Sequence, residues 1–230
     1  MSQPAVSIDA MPKKPAPTTP SIDPLDLPPL DDGGAGDLVA HGMVDAKRFT
    51  DTDVSGEDLA GLAFNECELV GVAAHETQFR AARFVSTRLE RMNAPVFTAA
   101  RATIRDAEIL RSRFGSVELY DSEWQSVVVS GSKLGWVNLR AARLQDVRFV
   151  GCTIDELDLA NAQLARVAFE GCSVETLRLD GARLTHVDLR GLDLHVIAGI
   201  EGLKGATLSH EQTMLMAPLF AEHLGVNVDG

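Results

Sequence analysis

The sequence predicts an all-β solenoid built from four-sided coils, and three observations carry that prediction. First, the 31 positions whose numbers end in 4 or 9, from Val44 to Leu194, hold Val, Ile, Leu, Phe or Trp at 28 sites, the exceptions being Ala74, Ala94 and Ala99. A half-buried strand repeats on two residues and a helix on 3.6, so a period of five belongs to neither. Second, the residue two places before each centre keeps its size class every twenty residues. Leu62, Ala82, Ala102, Ser122, Ala142, Ala162 and Ala182 form one such set, and Cys67, Thr87, Ala107, Val127, Val147, Val167 and Val187 another. Four pentapeptides therefore close one coil. Third, Gly71, Gly131, Gly151, Gly171 and Gly191 all fall two places after a centre, on the same one of the four sides. A corner that needs a positive φ selects glycine at little steric cost. Arg91 and Arg111 take that place in two other coils, so their turns are expected to differ in type.

Residues 1–40 come first and carry eight of the ten prolines, six Asp and two Lys. Such a composition buries too little apolar surface to offset the entropy of ordering, so a disordered tail is expected there. Within it, SIDPLDLPPL (21–30) reads either as plain linker or as a short docking motif. Residues 41–195 form the repeat. Backbone amides pair with the coils above and below, so about 7.75 coils at roughly 4.8 Å give a rod about 37 Å tall. The weak place is 92–99, where Ala94 and Ala99 replace large centres and Met92 and Phe97, two places earlier, are expected to supply the volume. Residues 196–230 leave the repeat. Ser209 and Gln212 make a capping box for a helix that ends at Gly225, and Pro218 is expected to kink or split it. Met214, Leu215, Leu219, Phe220 and Leu224 give this helix an apolar face that could cap the open coil, join two copies, or both.

Motifs such as ANAQL (160–164), RAARLQDVRF (140–149) and GARLTHVDLRGLDL (181–194) resemble the pentapeptide-repeat family. The resemblance implies a right-handed quadrilateral β-helix in which the centre and the residue two before it point inward. The ending GLKGATLSHEQTMLMAPLFAEHLGV is similar to that of the quinolone-resistance members. Those members are acidic rods that dimerise through a C-terminal helix, resemble duplex DNA in shape and charge, and bind DNA gyrase. The likeness therefore implies a type II topoisomerase as partner and a homodimer.

Composition narrows the function classes. The formal charge is −12, which argues against direct nucleic-acid binding and against anionic membrane surfaces, since both need a basic face. Three cysteines without paired spacing, no leader and no long apolar run point to a cytoplasmic chain. Chemistry is not legible. His41, His75, His186, His195, His210 and His223 are scattered, and His210-Glu211 lacks the second histidine of a zinc helix. Cys152 and Cys172 are expected to stack inward as reduced core thiols. No catalytic residue, cofactor or metal is expected. Trp124 is a core centre; Tyr120 and Trp136 look outward, and with Arg91 and Arg111 they are the candidate surface contacts.

Two readings remain. One is a non-catalytic interaction scaffold for another protein; the other is a DNA-mimic modulator of DNA gyrase, with an enzyme a distant third. Residues 41–195 hold 23 acids and 18 bases, a net of only −5, so much of the negative charge is placed off the rod. Eight arginines between residues 80 and 113 make the middle coils locally basic, which weighs against mimicry.

Overall fold

A computed structural model describes residues 18–228 of the chain. It is a β-solenoid of about nine turns closed by one helix, His210–His223. Every strand pair is parallel and, through the repeat, joins residues twenty apart, as in Trp124 to Leu144 and Leu144 to Leu164. In one coil the four sides are centred on Ile104, Ile109, Phe114 and Leu119, called here the first to fourth sides. The centres line a single interior with their inward companions, from Val44 to Leu192, and nearly all are under a tenth exposed. Its lower half is a phenylalanine cluster in which Phe64 stacks on Phe84 at 5.1 Å and meets Phe49 edge-on at 6.4 Å. Met92 and Phe97 are buried beside Ala94 and Ala99, filling the weak place as the volumes require. Trp124 is buried, and its indole N–H donates to Ser122 Oγ at 2.9 Å.

Positions ending in 1 or 6 form the corners. Eighteen non-glycine residues among those described have positive φ, and all occupy such positions. The expectation for Arg91 and Arg111 is corrected here. Their φ values of 52° and 47° match the glycine corners Gly71 (68°) and Gly131 (58°), and Gly191 is the one that departs. The left-handed corner aims its amide at the next coil: Arg91 N–H donates to Leu110 O and Arg111 N–H to Ser130 O, as Gly71 N–H does to Glu90 O. Leaving an N–H and a C=O unpaired costs about 1–3 kcal/mol each, more than the roughly 1–2 kcal/mol of one left-handed L-residue, so the ladder wins.

One corner does change along the rod. Between the third and fourth sides, Gly56 and Glu76 have positive φ, but Val96, Ser116, Trp136, Glu156 and Thr176 do not. From Asn93 upward these two sides fuse into single strands such as Asn93–Thr98 and Lys133–Asn138, stacked as a six-stranded sheet.

The ends differ from the sequence expectation. Residues 1–17 lie outside the described residues, but Thr18–Ala40, expected as disordered tail, is seated on the rod. Asp31–Asp32 pairs with Lys47–Arg48 as an extra rung, Gly33 lies against the Phe49 ring where a Cβ would clash at 2.5 Å, and Leu38 is buried over the first coil. Before this rung the chain runs along the rod. Ser21 N–H donates to Asp146 Oδ1 at 3.0 Å and Thr18 N–H to His186 Nδ1 at 3.3 Å, both on the corner between first and second sides. Thirteen residues therefore span about eight coil spacings, some 38 Å, which matches the roughly 3.1 Å rise of a polyproline II chain. Proline, read as a barrier to order, here pre-sets the extended shape, so little entropy is lost on seating.

At the other end the ladder continues past the repeat: Leu192–Ala198 pairs with Cys172–Arg178, and Ala206–Thr207 pairs with Val187–Asp188. The capping box forms as expected, with Gln212 N–H donating to Ser209 Oγ and Ser209 N–H to Gln212 Oε1. Gln212 Nε2 also donates to Leu189 O and Leu192 O, which ties the helix to the last coil. The helix runs as one element through Pro218, so of the expected kink or split the split does not occur. Its seat holds both sides of that proline, because Met216 is buried and Phe220 packs against the core.

Candidate interaction surfaces

Inside the coils lies an apolar cavity of about 40 Å³ among Phe84, Phe97, Ile104, Trp124, Leu134 and neighbours. A space lined only by hydrocarbon stays dry. Cys67, Cys152 and Cys172 are free and buried. Contact with Cys172 and burial both push the Cys152 thiol above its usual range, so it packs as a neutral apolar group. Among the described residues no three His, Cys, Asp or Glu side chains cluster to hold a metal ion, and no helix is long and apolar enough to cross a membrane.

Charged side chains stand in outward columns, where residues twenty apart sit side by side. On the second side, Arg48 pairs with Glu68 at 2.6 Å, Glu68 with Arg88 at 3.2 Å, and Arg88 with Glu108 at 2.8 Å. Burial acts to raise the Glu68 carboxyl, but the two guanidinium groups overcome it and hold the pKa below the ordinary value. Higher up, Arg166 grips Asp146 with two bonds of 2.6 Å and keeps that carboxyl well ionised. Arg111 pairs with Glu90 at 2.5 Å and Arg190 with Asp188 at 2.6 Å. Of the eight arginines between residues 80 and 113, Arg88, Arg105 and Arg111 are ion-paired; Arg80, Arg83, Arg91, Arg101 and Arg113 are exposed on several sides, without an ion pair among the described residues.

The four candidate contacts do not converge. Arg91 and Arg111 stand on the corner between second and third sides. Trp136 is 38% exposed between Ser116 and Glu156 on the third-to-fourth corner, and Tyr120, 37% exposed, stands at the end of the fourth side. On the helix the five expected residues divide. Phe220 faces the rod, while Met214, Leu215, Leu219 and Leu224 face outward, joined by exposed Val226 and Val228.

The surface that sequence reasoning missed is the strap itself. Ile22, Leu25 and Pro28 are partly buried, whereas Asp23, Asp26 and Pro29 are exposed, a period of three that fits a polyproline II helix lying on one face. Its anchors at Asp146 and His186 and its rung on Lys47 border the second side, whose outward Val70, Leu110, Val128 and Val150 are each only partly exposed. The signal was present in the spacing of 22, 25 and 28, but only a seated chain gives that spacing a meaning. The strap also changes the charge of the rod. Residues 18–40 add five Asp and no base to the 23 acids and 18 bases of residues 41–195, taking the net from −5 to −10.

The family model described as a pentapeptide repeat region matches residues 122–197. No curated protein matches the sequence. Solved structures similar to the chain include two trypsin-treated forms of QnrB1, described as a plasmid-mediated fluoroquinolone resistance protein. One is 19% identical, covers 83% of this chain and 93% of that chain, and has a TM-score of 0.42. The other is 20% identical, covers 83% and 91%, and has a TM-score of 0.49. A third is HetL, a pentapeptide repeat protein involved in heterocyst differentiation regulation from the cyanobacterium Nostoc sp. strain PCC 7120. It is 18% identical, covers 76% and 92%, and has a TM-score of 0.28.

Proposed function

We propose that this chain, which carries a pentapeptide-repeat region, is a non-catalytic scaffold that presents its outward columns to another protein. The observation that carries this reading is the division of labour in the wall. Inward positions are filled with packed apolar side chains, and the outward ones, free of that constraint, hold exposed arginines, acids, Tyr120 and Trp136. Photo-cross-linking from Tyr120, Trp136, Arg91 and Arg111 of the folded protein tests it. A saturable partner captured from one side and lost on charge reversal there supports the scaffold; uniform, unsaturable labelling at all four positions contradicts it.

A second reading, modulation of a type II topoisomerase by duplex mimicry, gains from one observation. The strap lays Asp23, Asp26, Asp31 and Asp32 along the rod, so the coils are about twice as acidic as the repeat alone. The similarity of the C-terminal segment to the quinolone-resistance members supports the same reading. Supercoiling by purified DNA gyrase decides it: no inhibition and no relief of quinolone poisoning, at concentrations where the protein is folded, would sink the idea. Pairing of two copies through Met214, Leu215, Leu219 and Leu224 belongs to this reading. Light scattering of Leu215→Asp against the natural chain should show a halved mass if it holds, and Phe220 is a poor choice because it faces the rod.

A further inference from the structure

We propose that the second side of the rod is an exchange site for extended peptides, with the strap Thr18–Leu30 as its resident, reversibly seated occupant. This rests on the scaffold reading and names the class of partner: a polyproline II segment of another protein with an apolar residue at every third position, as Ile22, Leu25 and Pro28 stand in the resident.

The strap is held differently from everything around it. Residues 31–33 belong to the ladder, with Asp31 N–H on Ala46 O and Gly33 N–H on Arg48 O. From Thr18 to Leu30 the backbone makes two hydrogen bonds to the coils, both to side chains, at Asp146 and His186. Pro20, Pro24, Pro28 and Pro29 have no N–H to offer, and the strap crosses the strands instead of running beside them, so it cannot become a rung. What remains is the partial burial of Ile22, Leu25, Leu27, Pro28 and Leu30 along a side whose outward Val70, Leu110, Val128 and Val150 alternate with ion-paired residues. An attachment without a ladder opens without breaking the coils. Beyond Pro20 the chain stands over an open cleft flanked by Arg148, Glu170, Asp188 and Arg190, where peeling can start.

The resident defines the ligand. The arginines of this side are already matched: Arg48 and Arg88 by Glu68 and Glu108, Arg148 by Glu170, Arg190 by Asp188. Asp23 and Asp26 point to solvent. The side therefore selects extended shape and period-three apolar side chains, and the carboxylates are not read by it. A pre-formed polyproline II peptide loses little entropy on docking, which is the mode by which such segments bind apolar grooves. In the resting chain the tether keeps the resident at an effective concentration of order millimolar, so the side stays closed to weak competitors.

Fluorescence anisotropy with a labelled synthetic peptide of residues 18–32 tests the exchange on the full chain. Ser21→Pro deletes the donor to Asp146, and Ile22→Asp with Leu25→Asp weakens the apolar seat; all three substitutions lie outside the coils. Each opened form should bind the probe at least about ten-fold more tightly than the natural chain, because the resident no longer competes. A probe with its four aspartates changed to asparagine should bind within about two-fold, and one with Ile22, Leu25, Leu27 and Leu30 changed to serine should not bind. Adding Val150→Asp to an opened form should abolish binding. Equal binding by natural and opened chains overturns the proposal, as does strap amide exchange that occurs only with global unfolding. Either failure leaves the cross-linking test of the scaffold untouched, so the two readings fail separately.

Discussion

Along Arg143–Val150 the wall of the rod has two surfaces made from one strand. Facing in are Leu144, Val147 and Phe149, which lie over Trp124, Val127 and Val129 and under Leu164, Val167 and Phe169. Facing out are Arg143, Gln145, Arg148 and Val150, whose neighbours below are Glu123, Gln125, Val128 and Ser130. The inner column repeats by class because each side chain must fill the space left by its copy in the next coil, at crystal-like density. The outer column meets water on one side, so no packing holds its size class, and complementary pairs such as Glu123 and Arg143, 2.8 Å apart, stand there beside unrelated neighbours. Period and function are thus written on opposite faces of the same backbone.

That contrast can be broken from the inside outward. Phe64→Ala removes the ring between Phe49, Phe79 and Phe84, and the stiff coils cannot collapse around the gap. A loss of about 3–5 kcal/mol is expected, read from the urea midpoint. Glu68→Gln tests a buried part of the outer wall, leaving Arg48 and Arg88 without their shared partner. About 1–3 kcal/mol should be lost at neutral pH. Because the folded carboxyl is held below its ordinary value, its contribution is complete above the unfolded pKa of about 4.3 and fades as pH falls through the lower folded value. The gap between natural chain and variant should therefore close on acidification. Arg91→Gly probes the corner, where the backbone conformation stays and the left-handed penalty goes. A gain of about 0.5–1 kcal/mol is expected, seen as a raised Tm. Trp136→Ala marks the outer limit. Stability should change by no more than about 0.5 kcal/mol, while any partner that reads the third side is lost in the cross-linking experiment.

Legibility followed the same division. The centres, their small companions, the capping box and the cap at residues 209–225 could be read from spacing alone. The arginine corners could not, since propensity prefers glycine there and the amide ladder overrules it. Spacing put Phe220 on one apolar helical face with Leu215 and Leu219 and left open whether that face caps the coil or joins two copies; the rod's open end claimed Phe220 together with Met216. The candidate contacts Arg91, Arg111, Tyr120 and Trp136 were correctly legible as outward positions, yet nothing in the period told which of them share a side.

The sequence by itself determined the coil, because a five-residue repeat with a twenty-residue modulation has one way to bury its apolar residues while pairing every strand. Only the tertiary structure decided where Thr18–Leu30 goes. Its prolines and aspartates cannot bury a core of their own, and local composition says no more than that. The rod supplied the missing half of the contact, a first rung at Lys47–Arg48 and side-chain acceptors at Asp146 and His186 within reach of an extended chain, and so turned a tail into part of the surface.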